Sequence, residues 1–398
     1  MRREHQRSAR IALTATAIGM VLTGAAGCTS SSSNALAGTC LTNSSAPLAL
    51  AVGVRSDVPK TQFPEAVSAL LKTTATDGQQ ISLIRIDGQP KVFTSPVFST
   101  SDKNSTAVNT DVNAYLNQDI QPILQSTIHA QVPQADILTA LNLAAAATAP
   151  DGNIVVIDSG LQTVAPLEYQ ETGLLMAPAT DIVNSLRQKN LIPNLNGRHV
   201  LLSGFGYTAA PEPELNQAER DNVISQWEAI VKAGGGCVTA DPAPNTAQEL
   251  AGLPPVTKVP LPPPVVIRAC GTTILSDSGS VGFVDGKSTF RNPPEADTTL
   301  RQLADALKDS SEHITLIGST SSEGGDAINN PLSQNRADAV KSALVSMGIP
   351  ASRITATGEG SHWSGRVPDI GPGGELLPAQ AEQDREVIVQ LPSCSPTS

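Results

Sequence analysis

The chain has 398 residues, with 26 Lys and Arg against 37 Asp and Glu, a formal net charge of −11 and no block of like charges. An acidic chain without a clustered basic face is not built for nucleic acid, whose phosphates need such a face; its acidity mainly favours solubility. The length suffices for about two or three domains, each able to bury its own core.

Arg2, Arg3, Arg7 and Arg10 precede an uncharged run over residues 11–24, which ends in Ala25, Ala26, Gly27 and Cys28. Basic, apolar and then small is the order of a secretory signal. The apolar run is shorter than the roughly 20 residues of a membrane span. The small residues before a cysteine resemble a lipobox, where signal peptidase cuts and the thiol is lipidated by palmitate-type chains, although Ala25 stands where many lipoboxes have leucine. This resemblance implies a signal peptide over residues 1–27, a lipidated polar tether over residues 28–38, and a chain held by lipid on the extracytoplasmic face of the cell membrane. An ordinary cleaved signal or an uncleaved anchor is the alternative. Sparse Lys and Arg beside plentiful Ala, Thr and Pro give an actinobacterial-type composition.

Export places the remaining cysteines, Cys40, Cys237, Cys270 and Cys394, in an oxidising space where thiols pair. Proline-rich sequence lies between the second and third, so the simplest pairing closes each domain end to end: Cys40 with Cys237, and Cys270 with Cys394. The other two pairings would staple the domains together. No two cysteines sit at the close spacing of zinc sites.

An N-terminal domain is expected over residues 39–240. Residues 48–54, 80–86, 153–157 and 199–204 are short β-branched or leucine-rich runs ended by Gly or Asp, the pattern of buried parallel strands. Residues 64–72, 112–131 with a break near Pro122, 134–147, 180–189 and 217–233 carry the three-and-four apolar spacing of helices. The alternation predicts a doubly wound α/β layer sandwich. Its order of elements resembles a von Willebrand factor A-like domain, with residues 48–54 as the first strand and 153–158 as a central one. The metal loop of that family, Asp-x-Ser-x-Ser, is missing: the loop reads Gly53-Val54-Arg55-Ser56-Asp57, and Arg55 puts a positive charge where a cation would sit. Asp158-Ser159-Gly160 reads as a turn before it reads as a ligand loop, so no metal is expected. Gly204-Phe205-Gly206 lacks the third glycine of a dinucleotide fingerprint, His129 and His199 have no patterned partner, and there is no Gly-x-Ser-x-Gly elbow. Neither a cofactor nor an enzymatic activity is expected.

Residues 241–266 hold Pro242, Pro244, Pro254, Pro255, Pro260, Pro262, Pro263 and Pro264, a density that favours extended geometry and predicts a semi-rigid spacer separating two modules. Residues 247–253 form a short apolar-helical island within it that could dock on a neighbour.

A second domain is expected over residues 267–394, with residues 395–398 as a tail. Val281-Gly282-Phe283 reads as a strand, residues 297–307 as an amphipathic helix and residues 314–317 as another strand. A polar loop over residues 318–330 leads to Pro331, suited to a first helical turn because its missing donor costs nothing there, with Ala337, Val340 and Leu344 on one face. Free backbone donors collect at such strand and helix ends, where ligand groups bind.

Asn329-x-x-Leu332-Ser333-x-x-Arg336-Ala337-x-x-Val340 is similar throughout to the signature of the OmpA-like peptidoglycan-associating family. Gly318-x-Thr320 and Gly324 upstream, Gly348-Ile349, Arg353-Ile354, Gly358-x-Gly360 and Asp384-Arg385-x-Val387 downstream support the likeness, which covers about residues 272–391. It implies a βαβαβ-type sandwich with a mixed sheet that binds the diaminopimelate of the wall stem peptide non-covalently.

In that family a helix arginine and an aspartate fifteen positions before it grip the ligand. Arg336 fills the first role, its planar fork suited to a carboxylate, unless it is a plain surface arginine. Fifteen positions back stands Ser321, in the loop Gly318-Ser319-Thr320-Ser321, so the family's histidine and aspartate are both absent. A hydroxyl accepts a hydrogen bond from an ammonium group but cannot pair its charge, a loss of about 1–3 kcal/mol. Glu323 is a carboxylate that could substitute, unless it is an exposed solvating residue. Thr320, Asn329, Ser333 and Arg385 complete the candidate set. The family's Asn-Arg-Arg-Val becomes Asp384-Arg385-Glu386-Val387, and an acid on each side points to an internally paired Arg385. His362 and Trp363 lie in an irregular stretch that could rim the pocket, with Trp363 stacking on sugar or packing on the domain. The resemblance implies a membrane-anchored envelope lipoprotein that contacts peptidoglycan weakly. The alternative is an envelope protein–protein interaction module with a degenerate pocket; an envelope partner for the N-terminal domain fits either.

Overall fold

The computed structural model describes residues 36, 38–42, 45–61, 63–241, 243–245 and 252–392, with Ser126 through its backbone alone. The signal segment, Cys28, residues 246–251 of the expected island region, Cys394 and the tail lie outside the described residues.

The first domain runs β1 (Leu48–Gly53), α1 (Glu65–Thr76), β2 (Ile81–Ile86), β3 (Lys91–Thr94), α2 (Ser105–Tyr115), α3 (Gln121–Ser126), α4 (Ile137–Ala147), β4 (Asn153–Ile157), α5 (Ala179–Gln188), β5 (His199–Ser203), α6 (Gln217–Ala233) and β6 (Cys237–Ala240). Its six strands form one sheet in the order β3-β2-β1-β4-β5-β6, parallel throughout except for β3. Every residue of β1, β2 and β4 is buried, which is why these strands read as unbroken apolar runs rather than alternating ones. Alternate residues feed two cores. Ala49, Ala51, Ile84, Ile154 and Val156 pack with α4, α5 and α6, and Leu48, Leu50, Val52, Leu83 and Val155 pack with α1 and α2. The result is a doubly wound layer sandwich whose strand order reverses between β1 and β4.

Several elements differ from the sequence reading. Helix α2 starts at Ser105, where the Asn104 side chain accepts from the amides of Thr106 and Ala107 (2.9 and 3.3 Å), and it reaches α3 through a π turn over Leu116–Ile120. The expected break near Pro122 is this turn, with the proline in the first turn of α3. Edge strands β3 and β6 span four residues each, too short to show a period. Cys40 and Cys237 are joined as expected, tying the segment before β1 to the first residue of β6 across a separation of 197 residues. Cys270 is also disulfide-bonded.

The second domain runs β7 (Thr272–Ser276), α7 (Pro293–Leu307), β8 (Ile314–Ser319), α8 (Asp326–Ser346), β9 (Ile354–Gly358), α9 (Pro378–Gln383) and β10 (Glu386–Gln390). The sheet order is β7-β10-β8-β9, with β10 antiparallel to both neighbours and β8 parallel to β9. Leu300, Leu303, Ala337, Val340 and Leu344 cover one face. Two expectations are corrected. The first strand is Thr272–Ser276; Val281-Gly282-Phe283 lies in a turn with a single bridge from Phe283 to Phe290, its apolar character reflecting burial of Val281 and Phe283 in the core. Helix α8 begins at Asp326, so Pro331 lies inside it, where one i to i−4 bond is forgone.

The proline-rich segment docks on the first domain and runs along the clefts between the two. Val259 is buried in the N-terminal core and its amide donates to Glu212 Oε1 at 2.9 Å, while Gln134 bonds Thr257. The domains touch where α9 meets the turn Leu174–Met176. Gly173 has φ 100° there, and a Cβ on it would lie 2.3 Å from the Ala379 carbonyl, so only glycine admits the approach.

Candidate functional site

The OmpA-type motif residues first build a crossing of helix on sheet. A Cβ on Gly318 would stand 2.0 Å from the Ser333 carbonyl, and one on Gly358 2.2 Å from the Gln334 nitrogen, so these glycines let α8 lie directly on β8 and β9. Ser333 Oγ donates to the Asn330 carbonyl and accepts from the Gly360 amide, both at 2.9 Å. Asn329 Nδ2 donates to the Ser321 carbonyl at 2.9 Å and pins the loop after β8. The Thr320 amide donates to the Gly360 carbonyl, and its buried hydroxyl has no partner among the described residues. The Asn329 and Ser333 side chains thus hold backbone, whereas Thr320 is held through its own amide.

Ser321 and Arg385 come together. Arg385 Nη2 donates to Ser321 Oγ at 3.0 Å and to Asp181 Oδ2 at 2.5 Å, and Nη1 donates to Glu382 Oε2 at 3.2 Å. Arg385 is internally paired, as its acidic context suggested, but with Glu382 and with α5 of the other domain; Asp384 instead accepts from Arg366 (2.8 Å) and from the Val367 amide (2.7 Å). Burial opposes charge on Arg385, yet Glu382 and Asp181 outweigh it and hold the guanidinium protonated. Burial pushes Glu382 up to about 8 and Asp181 up to about 7; a shared hydrogen bond with Glu323 adds to the rise at Asp181 and lowers Glu323. Glu323 is exposed and accepts from Asn184 Nδ2 of the N-terminal domain at 3.1 Å.

Arg336 stands apart from that pair. It is 2% exposed, its Nε donates to the Lys287 carbonyl at 3.0 Å and its guanidinium lies 5.1 Å over the Phe283 ring. Among the described residues it has no ion pair, and burial lowers its pKa. Asp277, Glu382 and Asp285 favour its charged form from beyond ion-pair distance, and its two Nη groups make no side-chain hydrogen bond among the described residues, so they suit a carboxylate. Sequence reasoning missed Arg366, which bridges Asp369 (2.7 Å) and Asp384 (2.8 Å) and fixes the stretch after β9 in which Trp363 is half-buried. It also missed Asp181, which no local pattern marks as a partner for Arg385.

In the first domain, Arg55 fills the crest between β1 and β4. Its Nη1 and Nη2 reach the two oxygens of Asp158 at 2.5 and 3.0 Å, and its Nε lies 3.3 Å from Asp57. This is the switch point of the sheet, where open α/β folds bind ligands, and a guanidinium occupies it. Among the described residues no group of three or more His, Cys, Asp or Glu side chains is arranged to hold a metal ion.

The mixed four-stranded sheet under two helices, with the Gly318 to Arg336 motif at the end of β8, defines the second domain as OmpA-like, and the OmpA family model matches residues 282–365. The chain is 38% identical over 96 residues to the probable lipoprotein YiaD of Escherichia coli, covering 24% of this chain and 43% of that protein. It is 39% identical over 145 residues to outer membrane protein A of Yersinia pseudotuberculosis, covering 35% of this chain and 39% of that protein. The chain therefore spans less than half the length of these relatives. Among solved structures, the peptidoglycan-associated lipoprotein from Burkholderia pseudomallei is 22% identical with a TM-score of 0.24, over 31% of this chain and 91% of that one. The periplasmic domain of Helicobacter pylori MotB is 14% identical with a TM-score of 0.26, over 33% of this chain and 82% of that one.

Proposed function

We propose that this chain is an envelope lipoprotein, lipidated at Cys28, whose OmpA-like domain contacts the diaminopimelate stem peptide of peptidoglycan non-covalently and without catalysis. The observation that carries the reading is Arg336: it stands at the family's arginine position, buried, stacked on Phe283 and free of any ion pair among the described residues. Ser321 supplies no countercharge for the ligand's ammonium group, and Arg385 is already paired, so the contact is weak. The doubly wound sheet and the adjacent ends of β1 and β4 support a von Willebrand factor A-like N-terminal domain in which Arg55 replaces the metal. Sedimentation of the mature chain with purified diaminopimelate-containing peptidoglycan tests the reading. Co-sedimentation that is reduced by Arg336→Ala supports it, and a chain left wholly in the supernatant overturns it.

A second reading, an envelope protein–protein interaction module with a degenerate pocket, draws on the same residues. Ser321 and Arg385 are engaged by a protein carboxylate, that of Asp181, rather than left open.

A further inference from the structure

We propose that Asp181 is an internal ligand of the OmpA-like domain: it occupies the Arg385 and Ser321 end of the pocket from the neighbouring domain, so that an external carboxylate enters only when the two domains part. The inference rests on the wall-binding reading for the identity of that external ligand.

The geometry is that of a bound carboxylate. Asp181 lies in the first turn of α5, and its Oδ2 meets Arg385 Nη2 at 2.5 Å beside Ser321 Oγ. Asp181, Ser321, Arg336 and Arg385 are all buried, the most accessible of them, Arg385, at 6%. The Arg385 Nη2 that a ligand carboxylate would take is held by Asp181 and Ser321 while α5 is in place. Two more polar contacts flank the plug: Asn184 with Glu323 at 3.1 Å, and Thr180 with Asp285 at 3.5 Å. A third, Gln383 to the Thr172 carbonyl at 2.7 Å, lies at the end of α9.

The same contact is one that can open. Two adjoining clefts of about 420 and 270 Å³, which share Met176, Pro262, Pro263 and Ser278, lie between the domains: the first has Glu219 on one domain and Arg291 and Glu295 on the other, the second Leu175 and Ile274. The contact includes Ala379, buried in the first domain's core, and an ion pair of the buried kind whose Coulomb gain is largely offset by desolvation. A ligand carboxylate that pairs with Arg385 repeats the bond Asp181 makes, so the cost of exchange is that of parting the remaining contacts, Ala379 among them. Binding is weakened by the fraction of molecules closed, and a chain closed nine-tenths of the time loses about tenfold in apparent affinity.

The test uses the mature full-length chain, with hydrogen exchange of α5 and of residues 320–323 as a readout independent of the wall. Asp181→Ala is expected to speed exchange on both surfaces and to raise affinity for diaminopimelate-containing peptidoglycan about tenfold. Because removing one partner of a buried pair can disturb folding, a second variant closes the contact instead. Thr180→Cys with Asp285→Cys, cross-linked across the domains, is expected to fold and to lose wall binding, while the same double variant with its two thiols blocked before cross-linking keeps it. Unchanged exchange in Asp181→Ala, or a cross-linked chain that binds as well as the free one, overturns the inference. Faster exchange with no wall binding in any variant overturns the wall-binding reading and leaves Asp181 as the closing contact.

Discussion

Arg55 and Asp158 form a two-pronged ion pair across the ends of β1 and β4, at 2.5 and 3.0 Å, with both side chains fully buried. The guanidinium does there what a cation would do for the same carboxylates. Arg55→Ala leaves Asp158 and Asp57 buried without their countercharge and is expected to cost about 3 to 5 kcal/mol, read as a lower urea midpoint. Calcium or magnesium should not raise the melting temperature of the unaltered chain. A cation-dependent rise would show that the site takes a metal despite Arg55.

Gly318 decides whether α8 can rest on β8. An alanine there puts a methyl group 2.0 Å from a backbone carbonyl, which no rotamer change relieves. Gly318→Ala should destabilise the second domain by about 1 to 3 kcal/mol or more, because overpacking forces the backbone apart. Thermal unfolding checks this, and an unchanged melting temperature would refute the close-approach argument.

Stability should fall as pH rises from mild acid. Burial is the leading cause that raises Glu382 to about 8 and Asp181, Glu212 and Glu386 to about 7. In the unfolded chain these carboxyls titrate in their ordinary range, about 4. Between that range and about 8 the folded chain holds protons that the unfolded chain has released, so their contribution is full at the acid end and lost as pH climbs through 7 to 8. Glu323, held below its ordinary range, acts in the opposite sense and only at more acid pH. Urea midpoints measured from pH 5 to 8 should decline, and Glu382→Gln should flatten the decline. A rising midpoint contradicts it.

The bond between Cys40 and Cys237 closes a loop of 197 residues, and in the chain-entropy model such a closure is worth up to about 5 kcal/mol. Cys237→Ser should lower first-domain stability toward that limit. Non-reducing peptide mapping should also recover Cys270 linked to Cys394, and a peptide joining Cys270 to any other cysteine refutes that pairing.

The sequence carried the N-terminal sheet because its central strands are buried on both faces, which forces continuous apolar runs such as Leu48–Gly53 and Asn153–Ile157. It placed Arg55 in the loop after the first strand, where the guanidinium meets Asp158 and Asp57, because that position needs one loop alone. Strands β3 and β6 escaped because an edge of four residues imposes no period. Val281-Gly282-Phe283 misled because burial and strand pairing leave the same apolar trace over so short a run. The candidate pocket was legible in part. Position 321 followed from spacing within a motif, whereas Asp181 meets Arg385 across 204 residues through domain packing, and no local residue pattern encodes such a contact.

The central claim is that Arg336 and the loop at Ser321 form a carboxylate and ammonium pocket, and calorimetric titration of the mature chain with a soluble diaminopimelate stem peptide tests it most directly. Ser321→Asp restores a charge for the ligand's ammonium group and competes with Asp181 for Arg385, so affinity should rise roughly tenfold or more. Arg336→Ala should remove measurable binding, and the two changes should be non-additive, since the carboxylate orients the ligand only while the guanidinium holds its other end. Arg336→Lys, which keeps charge but loses the planar fork and the Nε bond to the Lys287 carbonyl, should bind weakly and melt somewhat lower. If Ser321→Asp leaves affinity unchanged and Arg336→Ala is silent in a folded chain, the loop is not a wall-binding pocket and the account is wrong.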